Sequence, residues 1–310
     1  MKTQIKIGTR GSALALWQAK WVQAQLQNIY PDSHVHLQII KTKGDKILDV
    51  PLAKIGGKGL FVKEIETALL NKEIDLAVHS MKDMPSEIPL GLCLGAITQR
   101  ENPQDVLISK NGLDLNSMPK TARIGTSSLR RSSQLLHAYP ELQIVPLRGN
   151  LDTRMKKLNT ENLDAIILAA AGVIRLGLKE RITSYFDTNL ILPAVGQGAL
   201  GIEMRQDDPL MKQAMDQLDD FETHVAVKAE RAFLHQLEGG CQVPIAAYAT
   251  VNNQTLSITG MVAGLSGQPL LRHEISGHTD QAISLGQTLA KKLLEQGAKD
   301  ILAHIVDYQQ

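Results

Sequence analysis

The sequence predicts an α/β protein of two similar lobes followed by a smaller C-terminal α+β unit. Three observations carry that prediction. Short apolar runs alternate with helical patterns along most of the chain. The stretches "IKIGTRGSALALWQAK" (5–20) and "ARIGTSSLRRSSQLLH" (122–137) share one order: strand, Ile-Gly-Thr, polar residues, helix. Beyond about residue 240, three strand-like segments follow one another before two helical ones, the pattern of a small antiparallel sheet with helices attached. The boundaries this suggests are 1–98 with 199–218 for the first lobe, 99–198 for the second and 219–310 for the third unit.

The elements follow in order. "QIKIGT" reads as a strand that runs into a helix from about Ala13, where Leu14, Trp17, Trp21, Val22 and Leu26 recur at near-helical spacing, with the Trp pair expected in the core. "HVHLQII" alternates as a half-buried strand, with His34 and His36 on one face. "DLAVHSMKD" (75–83) and "DAIILAAAGVIRL" (164–176) are Asp-opened strands at matching places in the two halves, and "GLCLGAIT" is a buried strand in which Cys93 is filler. The Gly-rich "LPAVGQG" reads as a crossover, and "ALGIEM" as a strand returning to the first lobe's sheet. A helical pattern covers about 209–237. Strands follow at "AAYATV", "LSITGMVAG" and "LLRHEIS", then helices near 280–295 and 297–306.

Composition narrows the function. The 310 residues hold 33 Lys and Arg against 32 Asp and Glu, a net charge of +1, and only 4% are aromatic, which argues against a general nucleic-acid footprint. Charge is uneven along the chain: residues 123–181 carry ten basic against five acidic residues, which suits a confined anionic ligand or a solvated basic face. Two cysteines make no disulfide framework, "MKTQIKIG" carries no apolar leader, and the longest apolar run, "AIILAAAGVI", is half of the ~20 residues a membrane helix needs. The expectation is a cytoplasmic protein that binds neither membrane nor nucleic acid.

Candidate chemistry gathers in a few segments. In "GTSSLRR" (125–131), Thr126, Ser127 and Ser128 offer hydroxyls and N–H groups at a helix start, and Arg130 and Arg131 add two guanidinium forks suited to carboxylates. Arg148, Arg154, Arg175 and, in the first lobe, Arg10 lie at or near the C-terminal ends of strands, where α/β sheets bind ligands. Two lobes facing each other would make a cleft there. "LAKIGGKGLF" (52–61) fails as a phosphate loop because Lys58 is followed by Gly59 rather than Ser or Thr; it reads as a mobile lid carrying Lys54 and Lys58. "HSMKDMP" sets Lys82 and Asp83 after a strand, where the carboxylate is either an ordinary turn residue or a general acid/base. In "LEGGCQVP", two glycines and Pro244 flank Cys241 with turn formers, which suits a thiol presented on a loop. No His/Cys/Asp/Glu set has metal-ligand spacing.

"GKGLFVKEIE", "AVHSMKDMP", "GTSSLRR", "LRGN", "DAIILAAAG", "LPAVGQGA" and "LEGGCQVPIA" occur in that order, and together they resemble the porphobilinogen deaminases (hydroxymethylbilane synthases) over about residues 5–250. Two departures are Ala246, where the family often has Gly, and Met84, where Val is common. The resemblance implies two lobes like periplasmic binding proteins plus a third domain. It implies a transferase that deaminates porphobilinogen, condenses four molecules head-to-tail on a dipyrromethane primer, and releases the linear tetrapyrrole hydroxymethylbilane by hydrolysis, for haem and other porphyrins. By the same resemblance, Cys241 anchors the dipyrromethane through a thioether and Asp83 is the catalytic carboxylate. Lys82, Thr126, Ser127, Ser128, Arg130 and Arg131 hold the cofactor; Arg10, Ser12, Arg148, Arg154, Arg175 and Gln197 hold substrate or growing chain. It also implies a monomer whose partner is the small molecule porphobilinogen. Two other classes compete. A non-catalytic anion-binding module would leave Cys241 and Asp83 without a task, and a phosphate-using enzyme would need a metal or nucleotide motif the sequence lacks.

Overall fold

A computed structural model describes residues 4–46, 59–237 and 243–309. It falls into two compact units. The first gathers the described parts of Met1–Val50 and Gly57–Glu101 with Gly198–His224; the second, those of Asn102–Gln197 and Val225–Gln310.

In the first unit, β1 (Gln4–Thr9) leads into α1 (Ala13–Ile29), then β2 (His34–Ile39) and the short α2 (Lys43–Lys46). After α3 (Lys63–Leu70) come β3 (Leu76–Ser80) and β4 (Leu92–Ile97). The second unit begins with β5 (Asp105–Ser109), β6 (Arg123–Gly125), α4 (Leu129–Ala138), β7 (Gln143–Val145) and α5 (Leu151–Thr160). It continues with β8 (Ala165–Ala169), α6 (Ala170–Arg175) and β9 (Ser184–Tyr185). The chain then returns to the first unit as β10 (Leu200–Arg205) and α7 (Pro209–Met215). The C-terminal part holds α8 (Phe221–Gln236), β11 (Ile245–Asn252), β12 (Thr255–Ala263), β13 (Leu270–His278), α9 (Ala282–Leu293) and α10 (Lys299–Gln309).

The repeat seen in the sequence is a repeat of topology. The first sheet has order β2-β1-β3-β10-β4 and the other β7-β6-β8-β5-β9. In each, three parallel strands come from consecutive chain, and a fourth lies antiparallel beside the third, β10 against β3 and β5 against β8. The return of β10 to the first sheet is thus the one expected from "ALGIEM". The turn before it depends on Gly198, whose φ is +92° and where a Cβ would run into the Glu101 carbonyl. The third sheet is the antiparallel meander β11-β12-β13.

Three sequence expectations change. The "AIILAAAG" run is a strand only to Ala169 and then turns helical, because Ala170–Arg175 carry no β-branched sequence long enough to hold the strand. The helical pattern over 209–237 is two helices separated at Asp216–Asp220, where Asp220 accepts from the Thr223 backbone N–H and starts α8 afresh. On α1 the deepest face is Gln18, Ala19, Val22 and Leu26. Trp21 packs half-buried against this core and Trp17 is also half-buried, so the helix is rotated from the Trp-centred expectation. Phe233 of α8, fully buried, anchors the C-terminal core against Ile258, Leu289 and Leu293.

Candidate active site

In the first unit, strand ends bring three of the expected side chains to one pocket. Arg10 follows β1 and Ser12 opens α1. Asp83 closes the single 3₁₀ turn after β3, and all three line a pocket with Gln18, Phe61 and His79. Asp83 is exposed and Lys82 half-buried. Ser12 caps α1 by accepting from the Ala15 N–H at 3.3 Å. Arg10 donates through Nε to Asp45 at 3.0 Å, and its guanidinium carbon stands 4.2 Å over the Phe61 ring. Burial would raise the Asp45 carboxyl, but hydrogen bonds from Arg10 and Thr42 together with the Arg10 charge outweigh it and hold it below the usual range. Gln18 donates to the Ser80 hydroxyl at 2.8 Å, fixing the end of β3 from which Lys82 and Asp83 hang.

In the second unit, the "GTSSLRR" turn behaves as its sequence suggests at the backbone and differently at the arginines. Thr126 accepts through its hydroxyl from the Ser128 N–H at 3.2 Å, and Ser127 donates to the Leu147 carbonyl at 3.0 Å. Ser128 is the N-cap of α4, yet its side chain makes no capping hydrogen bond; its carbonyl accepts from the Arg131 and Ser132 N–H groups at 3.0 and 2.9 Å. Arg130 and Arg131 are buried, with their forks turned onto Asp105. Arg130 Nη1 reaches Oδ2 at 2.6 Å, and Arg131 Nε and Nη2 reach Oδ1 at 3.0 and 2.7 Å. Burial alone would raise Asp105, but the charges of both guanidiniums and their hydrogen bonds hold the carboxyl far below the usual range. Gln197 joins the same cluster, its amide donating to Asp105 at 3.1 Å and to the Pro103 carbonyl at 2.6 Å. Glu230 of α8, fully buried, accepts from the Gly196 and Ala249 N–H groups at 2.6 and 2.9 Å, tying the Gln197 turn to β11.

Arg148 is half-buried just after β7. Arg154 lies on α5 and donates to the Gly149 carbonyl at 2.8 Å. Arg175, 9% exposed, ends α6 rather than a strand. Lys54, Lys58 and Cys241 lie outside the described residues. Sequence reasoning missed Asp105 and Asp45, the carboxylates that hold the arginines. Asp105 left a trace, an acidic residue opening the apolar run "DVLIS"; Asp45 left none, because its partner is 35 residues away.

Residues 5–213 match the family described as "Porphobilinogen deaminase, dipyromethane cofactor binding domain", and residues 224–295 match "Porphobilinogen deaminase, C-terminal domain". The porphobilinogen deaminase of Pelobacter propionicus is 53% identical over 302 residues, covering 97% of each chain. That of Syntrophotalea carbinolica is 55% identical over 299 residues, covering 96% of this chain and 95% of its own. Among solved structures, the chain is similar to the methionine-binding protein MetQ (15% identity, TM-score 0.43, 66% of this chain and 84% of that one). It is also similar to the alkanesulfonate-binding protein SsuA from Xanthomonas axonopodis pv. citri (13% identity, TM-score 0.38, 75% and 74%).

Proposed function

This chain belongs to the porphobilinogen deaminase family, and from that premise we propose how its residues divide the work. The activity is a transferase reaction of haem biosynthesis: porphobilinogen is deaminated and joined head-to-tail into a linear tetrapyrrole on a dipyrromethane cofactor. The finer assignments that follow are supported by the family resemblance and, for the described residues, by their positions. The observation that carries them is the pocket that gathers Arg10, Ser12 and Asp83 at adjacent strand ends.

The donor set suits a carboxylate-bearing cofactor. Two guanidiniums share the single Asp105 carboxylate, which leaves one positive charge unbalanced within that cluster beside the uncapped first turn of α4. Ser128, Thr126 and Ser127 add hydroxyls at the same turn, and Lys82 adds a cation after β3. When bound, dipyrromethane supplies the nucleophilic pyrrole carbon to which the first porphobilinogen is joined. Cys241 is its thioether anchor. Arg130 and Arg131 act from behind, through the charge they bring to the turn. Asp83 stabilises positive charge on pyrrole nitrogen as ammonia leaves, then accepts the pyrrole N–H during proton loss. Arg10, Ser12, Arg148, Arg154, Arg175 and Gln197 bind the carboxylates of substrate and growing chain, and Lys54 and Lys58 belong to a lid.

The domain reading is 1–98 with 199–218, 99–198 and 219–310, the third carrying Cys241. The protein works as a cytoplasmic monomer on a small molecule, without nucleic acid or membrane. The near-even charge and low aromatic content argue against a nucleic-acid partner, and among the described residues no helix is long and apolar enough to cross a membrane. Intact mass tests the central assignment. The native protein should be heavier than its sequence by one dipyrromethane, Cys241→Ala should lack the added mass and the activity, and Cys93→Ala should keep both. An active native protein with no added mass would sink it.

A further inference from the structure

The C-terminal meander buries its two faces against different neighbours. Ile258, Val262, Leu271 and Ile275 pack with Phe233 and Leu289 of α8 and α9. Side chains alternate across a strand, so Met261, Ala263 and Leu270 take the opposite face, where they pack with Leu192 from the segment after β9. The cover of this second face leaves a cavity of about 170 Å³. Met261, fully buried, and Leu270 line it from the sheet. Leu190 lines it from the chain ahead of Leu192, and His137 and Ala138 from the end of α4. None of these residues has a task in the assignments above.

The wall of this cavity carries a cation. Arg272, opposite Met261 in the β12–β13 ladder, is half-buried. It donates through Nη1 to the Asn189 carbonyl at 2.6 Å, and through Nη2 to the Thr188 carbonyl and to Asn189 Oδ1 at 3.4 Å each. All three acceptors are neutral, and Arg272 closes no ion pair among the described residues. Burial pushes its guanidinium down, opposed through space by Glu274 and Asp187. Those two carboxylates are engaged elsewhere, Asp187 by the Asn189 N–H at 2.7 Å and Glu274 by the Thr259 hydroxyl at 3.3 Å. At the rim, His137 Nδ1 lies 2.9 Å from the Gly267 carbonyl and 3.0 Å from Gln268 Nε2, while its Nε2 has no hydrogen-bond partner among the described residues. An apolar floor with a few polar groups and one charge is the composition of a small-molecule site.

We propose that this cavity is a second ligand site, taking a small monocyclic carboxylate whose acid group pairs with Arg272 and whose ring rests on Met261, Leu190 and Leu270. The volume sets the size, since an apolar cavity of ~150 Å³ holds benzene. The guanidinium sets the charge, because a carboxylate can accept two parallel N–H bonds from it and a cation would be repelled. A ring held there touches α4 and the Leu190 segment together. These two elements meet at Leu192, whose carbonyl accepts from Arg130 Nη1 at 2.8 Å and from Gln134 Nε2 at 3.2 Å, and whose N–H donates to Gln134 Oε1 at 2.7 Å. Gln134 itself lines the cavity. The ligand is therefore an effector that braces the wall against which Arg130 is held, and it takes no part in the pyrrole chemistry. The site does not depend on the roles given to Cys241 and Asp83.

The test uses holoenzyme with isotope-labelled methionine methyls, benzoate as the probe and benzamide as its uncharged counterpart. In the parent, the Met261 methyl resonance, identified by its loss in Met261→Leu, should shift saturably with benzoate. Benzamide should bind about tenfold more weakly, the fold-change of a lost hydrogen bond to a charged group. Arg272→Leu should bring benzoate down to the benzamide level, and Arg272→Lys, which keeps the charge and loses the fork, should fall between. Ala138 is exposed at the mouth of the cavity, so Ala138→Phe should plug it and abolish both shifts while kcat stays at the parent value. Amide exchange over 189–192 should slow when benzoate binds the parent and stay unchanged in Ala138→Phe. If Arg272→Leu does not fold, the benzoate–benzamide difference in the parent and its disappearance in Ala138→Phe decide. The proposal is overturned by a Met261 resonance that never shifts, by equal affinities for benzoate and benzamide, by full benzoate affinity in Arg272→Leu, or by a shift that survives Ala138→Phe. Unchanged exchange over 189–192 in the benzoate-bound parent would overturn the effector role.

Discussion

Asp105 accepts four hydrogen bonds on one buried carboxylate, from the side chains of Arg130, Arg131 and Gln197. Removing its charge leaves two buried guanidiniums with no other counter-ion among the described residues. Asp105→Asn should cost about 3–5 kcal/mol of folding free energy, read from denaturant unfolding. Its pH dependence has a definite sign. The folded carboxyl lies below its unfolded value, so the stabilisation is complete above about pH 3.9 and is lost as pH falls below that value. Parent stability should therefore decline on the acid side with a limb that Asp105→Asn lacks; parallel acid profiles would refute the pairing as the cause. Asp83 behaves oppositely. It is exposed, so Asp83→Asn should leave unfolding unchanged while lowering kcat by a factor on the order of 10²–10³ in protein that carries cofactor. Near-normal turnover in that holo variant would remove its catalytic assignment.

Two helices in the second unit begin differently, and the difference separates capping from binding. Asn150 caps α5, accepting from the Thr153 N–H at 2.9 Å and from its hydroxyl at 2.8 Å. Ser128 stands at the same position of α4 and caps nothing. Asn150→Ala should then cost about 1 kcal/mol of stability, and Ser128→Ala well under half of that. Ser128→Ala should instead slow cofactor loading, seen as a larger apo fraction by intact mass. A Ser128→Ala loss equal to that of Asn150→Ala would mean the hydroxyl serves the helix.

For the whole molecule the governing quantity is charge. Each porphobilinogen brings an acetate and a propionate, so every addition increases the negative charge the protein must accommodate. A buried carboxylate left unpaired costs several kcal/mol, on the order of the loss from a broken buried ion pair. If Arg10, Arg148, Arg154 and Arg175 meet that charge in turn, replacing one by Leu should stall elongation at a particular length, visible by mass as an enzyme species carrying extra pyrroles. Lys would be a weaker test because it keeps the charge and loses only the fork. Variants that raise KM alike, with no enriched intermediate, would make the arginines a uniform anion sink.

The sequence by itself determined the two-lobe repeat, since Ile-Gly-Thr followed by a polar turn and a helix is a local pattern, and each copy became the same parallel strand and helix. It also determined the C-terminal meander, whose strands pair with their chain neighbours, and the pocket residues that sit directly at strand ends. Tertiary structure alone decided where the charged side chains point. Arg130 and Arg131 look in sequence like forks offered to a ligand, yet both turn inward to a carboxylate more than 20 residues away, because a buried guanidinium must find a counter-charge. The same holds for Glu203 and His79, 124 positions apart and meeting only because β10 returns beside β3. Patterning specifies which residues are buried; the long-range strand order specifies which buried charges become partners.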